Sequence, residues 1–157
     1  MAQPVQPCRM DRKPRPVANL SASCACGAVT LGFAGEVKSM FLCTCADCQK
    51  ASGTGHATVI LALAADVTIA GETASFTRPA NSGATLTRRF CPICGTPLAA
   101  QSSRAPQTLM LPAGLFGADV PWFAPNQVIF ARSHRDWDTI PADLPMHQTY
   151  RGEGAAT

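Results

Sequence analysis

Three cysteines, Cys43, Cys45 and Cys48 (the cysteine trio), lie within one six-residue stretch of the chain. A disulfide needs Cα atoms about 5.5–6 Å apart and Cβ vectors that face each other, so thiols this close in sequence cannot be paired without strain. Alternate residues of an extended strand share a face, and a following two-residue turn would bring the third thiol to the other two. Zn²⁺ binds thiolates at about 2.3 Å, and three protein ligands leave one tetrahedral corner open. The spacing therefore predicts a metal site, which a distant Cys or His could still close.

Two further pairs of cysteines could bind a metal. Cys24 and Cys26 are two residues apart, and Cys91 and Cys94 belong to a C-P-x-C-G sequence. A tight turn of this kind aims both thiolates at one point, and its backbone N–H groups can donate to the sulfurs. Gly95 suits the positive φ that such a turn needs. The two pairs together would make a closed site of four thiolates; alternatively, the second pair could combine with two thiols of the trio.

Composition limits the classes of protein to consider. A chain of 157 residues fits one domain and buries roughly two-thirds of its unfolded surface. No apolar run approaches the roughly 18 residues of a membrane span, so no membrane insertion is expected. The net charge is only +3, and the short basic cluster at residues 9–15 is better explained as a solvated tail than as a nucleic-acid site.

The first residues differ in composition from the rest. Residues 1–19 are rich in proline and charge and lack the apolar segment of a secretory signal, so a poorly ordered tail is expected there. Without an export signal, the eight cysteines are expected to be reduced in the cytoplasm, where thiols bind metals rather than form disulfides. Cys8, within the tail, is a stray thiol with no partner in the sequence.

Short runs of β-branched and other apolar residues, separated by turn residues, predict an all-β domain over residues 20–147. No long window shows a helical apolar pattern, so few or no helices are expected, and 49–55 is expected to be a loop. Residues 148–157 are expected to be a flexible tail. The predicted strands are 29–33, 36–42, 56–63, 66–70, 74–78, 84–90, 98–102, 108–112 and 127–133.

The arrangement of the first two predicted strands determines which cysteines lie close together. Ala34-Gly35 is expected to turn the chain between them, and the second strand leads directly into the cysteine trio. One hairpin would then place Cys24 and Cys26 near the level of the first two thiols of the trio.

The three cysteine motifs, in this order and with these spacings, resemble the glutathione-dependent formaldehyde-activating enzyme family, which includes centromere-protein-V-like members. The resemblance extends over residues 20–146. The matching segments are Cys24-Ala25-Cys26-Gly27-Ala28, Cys43–Cys48 followed by Ser52-Gly53, Phe90–Leu98, and a tail that contains Trp137 and Leu144-Pro145.

The resemblance implies a fold, cofactors and an activity. The fold would be a β-tent of stacked antiparallel sheets that holds two zinc ions. Cys24, Cys26, Cys91 and Cys94 would hold a structural ion, and the cysteine trio would hold a second, reactive ion. The activity would be that of a carbon–sulfur lyase, or S-hydroxymethylglutathione synthase, with glutathione as co-substrate.

Two residues depart from the family pattern. Relatives often have His between the first two cysteines of the trio, where this chain has Thr44, and many have His near the position of Gln127. If either His transfers protons or orients the substrate, that role is vacant here or is filled by another group.

Basic residues near the motifs are candidate contacts for glutathione. Three thiolates on Zn²⁺ give a net charge near −1, which favours a soft fourth ligand such as another thiolate. Nearby cations would offset this charge and hold the carboxylates of glutathione. The candidates are Lys50, Arg88 and Arg89, and His56 is a further candidate beside the open corner of the metal.

The main alternative is a zinc-stabilised binding module without catalytic activity. An open, exchangeable coordination site at the trio favours the enzyme, whereas a fourth protein ligand there favours the module. Under the enzyme hypothesis, the partners are a small thiol and an aldehyde, and a homo-oligomer is possible.

Overall fold

The computed structural model of the protein describes residues 15–80 and 82–151. Within these residues, the single α-helix, α1, spans Ala46–Ser52, and short 3₁₀ segments span Ala64–Asp66, Ala113–Asp119 and Ala131–Ser133. The strands are β1 (Val17–Ser23), β2 (Thr30–Glu36), β3 (Ser39–Cys43), β4 (Ala57–Leu63), β5 (Val67–Ala70), β6 (Ala74–Pro79), β7 (Thr85–Phe90), β8 (Pro97–Ser102), β9 (Thr108–Pro112) and β10 (Val128–Ile129).

The strands form two sheets. One has three strands in the order β1-β2-β5, and the other has seven in the order β10-β3-β4-β9-β8-β7-β6. Neighbouring strands are antiparallel except for β10 and β3, which are parallel. This confirms the all-β prediction. No helix among the described residues has the length and apolar character needed to cross a membrane.

The main core lies between the two sheets. Leu31 and Phe33 of β2 contribute from the smaller sheet, while Ile60, Leu98 and Leu111 contribute from the larger one, and all five are almost fully buried. Burial of one such side chain stabilises the fold by roughly 1.5–3 kcal/mol.

A second apolar cluster lies on the other face of the larger sheet. Met40 of β3 packs against the main core, so its neighbour Phe41 and the next alternate residue, Cys43, point the opposite way. Phe41 and Cys43 cluster there with Val59 and Phe130. The cysteine trio therefore lies on the sheet face that is turned away from the main core.

The predicted hairpin between the first two strands is wrong. β2 pairs with β1 and β5, whereas β3 belongs to the other sheet. The chain does not turn at Ala34-Gly35, which lie within β2, and a Cβ at Gly35 would collide with the side chain of Asp66. Gly35 is therefore required for close packing rather than for a turn.

Two other local predictions need correction. The expected loop at 49–55 overlaps helix α1, whose side chains are all at least partly exposed and so give no apolar periodicity. The strand predicted at 127–133 is limited to β10 (Val128–Ile129). It ends there because Phe130 has a φ of 60°, a left-handed conformation that turns the chain out of the sheet.

The ends of the domain extend further than predicted. Residues 17–19, assigned to the N-terminal tail, belong to β1, and Pro16 accepts a hydrogen bond from the Val37 N–H. In the predicted C-terminal tail, Tyr150 packs edge-on against Phe130 with ring centroids 4.8 Å apart. The predictions for Cys8 and for the rest of both tails fall on residues 1–14 and 152–157, outside the described part of the chain.

These boundaries predict the effect of truncation. Deletion of residues 2–14 should change the melting temperature little, because a sequence so rich in proline and charge offers few apolar side chains to a core. Extending the deletion through Leu20 should unfold the protein, since it removes the buried residues Ala18 and Leu20 and four of the seven residue pairs between β1 and β2. Thermal melts of both truncated proteins test this boundary, and a large loss from the shorter deletion would contradict it.

Candidate functional site

Two hairpin loops bring four cysteines together. Cys24 and Cys26 lie in the loop between β1 and β2, and Cys91 and Cys94 lie in the loop between β7 and β8. The four sulfurs are within 4.8 Å of one another. The Sγ atoms of Cys24 and Cys26 are 3.5 Å apart, and those of Cys26 and Cys91 are 3.7 Å apart. Ligands at about 2.3 Å in a tetrahedron would be about 3.8 Å apart, so this cluster fits zinc.

Hydrogen bonds stabilise thiolates in this four-cysteine cluster. The backbone N–H of Val29 donates to Cys24 Sγ at 3.3 Å. The hydroxyl of Thr96 is 3.1 Å from Cys94 Sγ, and this contact lowers the pKa of Cys94 to about 5. Cys24 and Cys91 are buried, so the cluster anchors the two sheets to each other at one end.

The cysteine trio lies where β3 leads into helix α1. Cys43 is the last residue of β3, Cys45 is the N-cap of α1, and Cys48 lies in the first turns of the helix. The Cys45 sulfur accepts a hydrogen bond from the Cys48 N–H at 3.3 Å, as a capping oxygen would. The three sulfurs lie within 4.8 Å of one another.

The thiols of the trio differ in pKa, so negative charge favours one of them. Hydrogen bonds from the Cys43 and Cys48 thiols lower the pKa of Cys45 to about 2. The contacts with Cys45 and Cys48, together with burial, raise the pKa of Cys43. Among the described residues, no fourth Cys, His, Asp or Glu joins this group. The donor set fits a zinc ion with one open coordination position.

Two arginines from the outer hairpin approach the trio. Arg88 of β7 donates one N–H to the Asp47 carbonyl at 3.0 Å and another to Cys48 Sγ at 3.6 Å. Arg78 of β6 forms an ion pair of 2.9 Å with the carboxylate of Asp47. Arg78 is one of the groups that lower the pKa of Cys45. The contact with Cys43 and the charge of Arg88 lower the pKa of Cys48, but Cys45 and burial raise it by more, to about 11.

Thr44 is a structural residue in this fold. It is fully buried, and its hydroxyl donates to the carbonyl of Phe130 at 2.7 Å. The contact ties the trio to the left-handed turn at Phe130. Gln127 is the other residue that departs from the family pattern. It is also buried, and its backbone carbonyl accepts a hydrogen bond from the Leu42 N–H.

Removal of the Thr44 hydroxyl should therefore weaken the fold around the trio. Thr44→Val is expected to lower the free energy of unfolding by about 1 kcal/mol, the usual contribution of a buried hydrogen bond. Thr77→Val is the matched control, because the Thr77 hydroxyl bonds to Thr87 on an exposed surface. Urea unfolding of both variants tests the assignment, and equal effects would contradict it.

The four residues that were predicted to contact glutathione lie in different surroundings. Arg88 and Lys50 line a cavity of about 230 Å³ beside the trio, and Lys50 also lines a second cavity, of about 380 Å³, with Trp137. Arg89 is exposed, and strand alternation directs it away from the face of Arg88. The Nδ1 atom of His56 is 2.7 Å from the carboxylate of Asp138. Neither Arg89 nor His56 lines either cavity.

Sequence reasoning did not identify Arg78, Phe76 or Gln49 as residues near the trio. A signal for the first two existed, because the predicted strands 74–78 and 84–90 form a hairpin, and in the structure this hairpin pairs Phe76 with Arg88. Gln49 had no such signal. Its amide donates to the carbonyls of Thr44 and Ser133 at 2.7 and 2.8 Å, a contact that depends on the unpredicted helix.

The fold and the site together define a class of protein: a β-sheet protein with two cysteine clusters, one of four thiols and one of three, whose donor atoms suit zinc. The model of the glutathione-dependent formaldehyde-activating enzyme family matches residues 19–133, and the chain belongs to this family. A crystal structure of a Rhodobacter sphaeroides protein, a structural genomics target, is similar in fold. Its TM-score is 0.52 at 17% sequence identity, over 66% of this chain and 93% of that one. A comparison with curated proteins gives no match.

Proposed function

We propose that this protein is a zinc-dependent carbon–sulfur lyase of the S-hydroxymethylglutathione synthase type. It would act on the adduct of glutathione, or a related thiol, with formaldehyde or another small aldehyde. The observation that carries the proposal is a cluster of three thiols without a fourth protein ligand among the described residues, next to two arginines. Family membership supports the same chemistry.

The two clusters would have different roles. Cys24, Cys26, Cys91 and Cys94 would hold a structural ion, because four thiolates complete its coordination. The cysteine trio would hold the reactive ion. A zinc ion bound there would take the incoming thiol as its fourth ligand and keep it in the thiolate form.

The reaction itself forms or breaks one carbon–sulfur bond. In the forward direction, the thiolate sulfur attacks the carbonyl carbon, the π electrons move to oxygen, and the oxygen takes up a proton. Thr44 is an unsuitable proton donor, because its hydroxyl already donates to Phe130. We therefore expect water to supply this proton.

Arg88 would assist by lowering the negative charge of the site. Its N–H contact with Cys48 Sγ places a fixed cation against three thiolates. Without it, a fourth thiolate would be repelled more strongly by the first three. We place this activity in the cytoplasm, where low-molecular-weight thiols and the protein's own cysteines stay reduced.

The test is the rate of exchange between free formaldehyde plus glutathione and S-hydroxymethylglutathione. Exchange spectroscopy by NMR should show faster exchange with the zinc-loaded protein than with its Cys48→Ser variant at equal concentration. Equal rates for both proteins and for buffer alone would overturn the lyase assignment. If thiol binding also failed, the non-catalytic zinc module would be the better account.

A further inference from the structure

The side chain of Gln49 holds helix α1 against the segments around the cysteine trio. Its Nε2 donates to the carbonyl of Thr44 at 2.7 Å and to the carbonyl of Ser133 at 2.8 Å. Its Oε1 accepts a hydrogen bond from the Nε of Arg135 at 3.1 Å. A carboxamide has two N–H donors and one acceptor oxygen, so both donors and the oxygen are engaged here.

These hydrogen bonds close the stretch of chain that carries the trio. Thr44 stands between Cys43 and Cys45, whereas Gln49 follows Cys48 directly. The backbone N–H of Gln49 donates to the carbonyl of Cys45 at 3.0 Å, and its side chain reaches one carbonyl further back. Gln49 therefore binds the backbone beside the first two thiols from the helical turn that carries the third.

Thr44 is itself fixed to the neighbouring segment, so the Gln49 contact gives the helix a fixed reference point. The Thr44 N–H donates to the carbonyl of Ile129 at 3.1 Å, and its hydroxyl donates to the carbonyl of Phe130 at 2.7 Å. With the hydrogen bond from Gln49, each polar group of Thr44 has a partner. The helix is thus tied to a fully buried residue rather than to an exposed loop.

Apolar packing does little to hold α1 in place. The helix has only seven residues, and none of them is buried. Helices this short are unstable in isolation and depend on tertiary contacts. Arg88 and Arg78 hold one side of the helix to the outer hairpin through Asp47 and Cys48. Gln49 holds the helix to the end of β3, where the trio begins.

We propose that Gln49 is a positioning residue for the cysteine trio. Its amide holds the Cys48 sulfur at the distance from Cys43 and Cys45 that a shared metal ion requires. The inference rests on the proposed function, in which the trio holds the reactive ion and leaves one coordination position for a thiol. Hydrogen-bonding groups that orient metal ligands commonly contribute roughly 10- to 100-fold to metal affinity. Gln49 acts on the backbone that carries the ligands rather than on a ligand itself, so a contribution of about tenfold is expected.

Replacement of Gln49 by methionine tests the assignment. Methionine has a similar length and a similar helix propensity, but it has no amide. In the zinc-loaded protein, Gln49→Met should lower the affinity of the trio for zinc by about tenfold, as measured by competition with a chromophoric chelator. The ion of the four-cysteine cluster should stay in place. In the cobalt-substituted protein, the absorption bands of the trio ion should change, because they depend on where the three sulfurs lie.

Backbone amide exchange separates a positioning role from a general contribution to stability. The N–H of residue 49 donates to the carbonyl of Cys45, and the N–H of Gly53 donates to the carbonyl of residue 49. With both zinc sites filled, these two amides of α1 should exchange faster in Gln49→Met than in the unmodified protein. The amides in the ladder between β4 and β9 should exchange at unchanged rates, because the sheet does not depend on this side chain.

Gln101→Met is the matched control. The Gln101 side chain also donates to a backbone carbonyl, that of Pro106 at 2.7 Å, but on an exposed surface of β8. Its loss should change neither the zinc affinity of the trio nor the cobalt spectrum. Arg135→Met is a milder second variant, because Arg135 is exposed and contacts the oxygen of the Gln49 amide. It should weaken zinc binding at the trio by less than Gln49→Met does. If Gln49→Met is insoluble, unchanged zinc affinity in Arg135→Met would overturn the proposal.

The outcomes separate this inference from the proposed function. Unchanged zinc affinity and an unchanged cobalt spectrum in Gln49→Met would overturn the role of Gln49 while leaving the open thiol site intact. An equal loss in Gln101→Met, or the loss of both zinc ions together in Gln49→Met, would also overturn it, because general destabilisation would then explain the result. If the unmodified protein bound no second zinc ion, the proposed function would fail, and the inference would fail with it.

Discussion

Replacement of Cys91 by serine is expected to remove nearly all soluble, folded protein. Cys91 is fully buried, and its sulfur lies 3.7 Å from that of Cys26 in the four-cysteine cluster. Zinc binding by such clusters contributes on the order of 10 kcal/mol to folding in small zinc domains. A loss of this size is comparable with the whole stability of a typical domain, about 5–15 kcal/mol. Cys24→Ser should behave in the same way, because Cys24 is also buried in the cluster.

The matched control is Cys48→Ser, which removes a thiol from the trio instead. Cys48 is partly exposed and lies outside the main core, so this variant should remain soluble and folded. Soluble yield and circular dichroism would compare the three variants. If Cys91→Ser and Cys48→Ser gave the same yield and the same melting temperature, the division into structural and reactive clusters would be wrong.

The second large effect concerns metal content. The unmodified protein should contain two zinc ions per chain, since seven described thiols divide into clusters of four and three. The trio ion should be lost first to a chelator, because three thiolates and an open position bind less tightly than four thiolates. Cys48→Ser should contain one zinc ion, as two remaining ligands are too few to retain the second.

Elemental analysis before and after a graded chelator treatment measures this difference. A single tightly held zinc ion in the unmodified protein would show that the thiols divide differently. Two ions lost at the same chelator concentration would contradict the open position at the trio, because both sites would then be equally complete.

The sequence allowed the grouping of the thiols to be predicted better than the path of the chain. Thiols can be assigned from local spacing, since a C-x-C or C-x-x-C turn aims its sulfurs at one point regardless of the surrounding sheet. The hairpin of β6 and β7 was also predictable, because a clear turn at 79–83 separates two alternating strands. These are features that neighbouring residues determine.

Long-range packing decided the features that sequence reasoning missed. β2 pairs with β1 and β5 rather than β3, and its Gly35 packs closely against Asp66, a contact between segments far apart in the chain. Helix α1 was not predicted because it has no buried face and is capped by a cysteine sulfur rather than by the usual oxygen. The cavity beside the trio was missed because the helix was missed, since it lies between that helix and the outer hairpin.

The most direct measurement is spectroscopic titration of the cobalt-substituted protein with glutathione. The central claim is that the cysteine trio presents an open position for a thiol. Addition of glutathione should therefore change the thiolate-to-cobalt charge-transfer bands, while S-methylglutathione, which lacks a free thiol, should change them much less. Cys48→Ser should abolish the response. Identical spectra with and without glutathione, in protein that holds two cobalt ions, would contradict the claim.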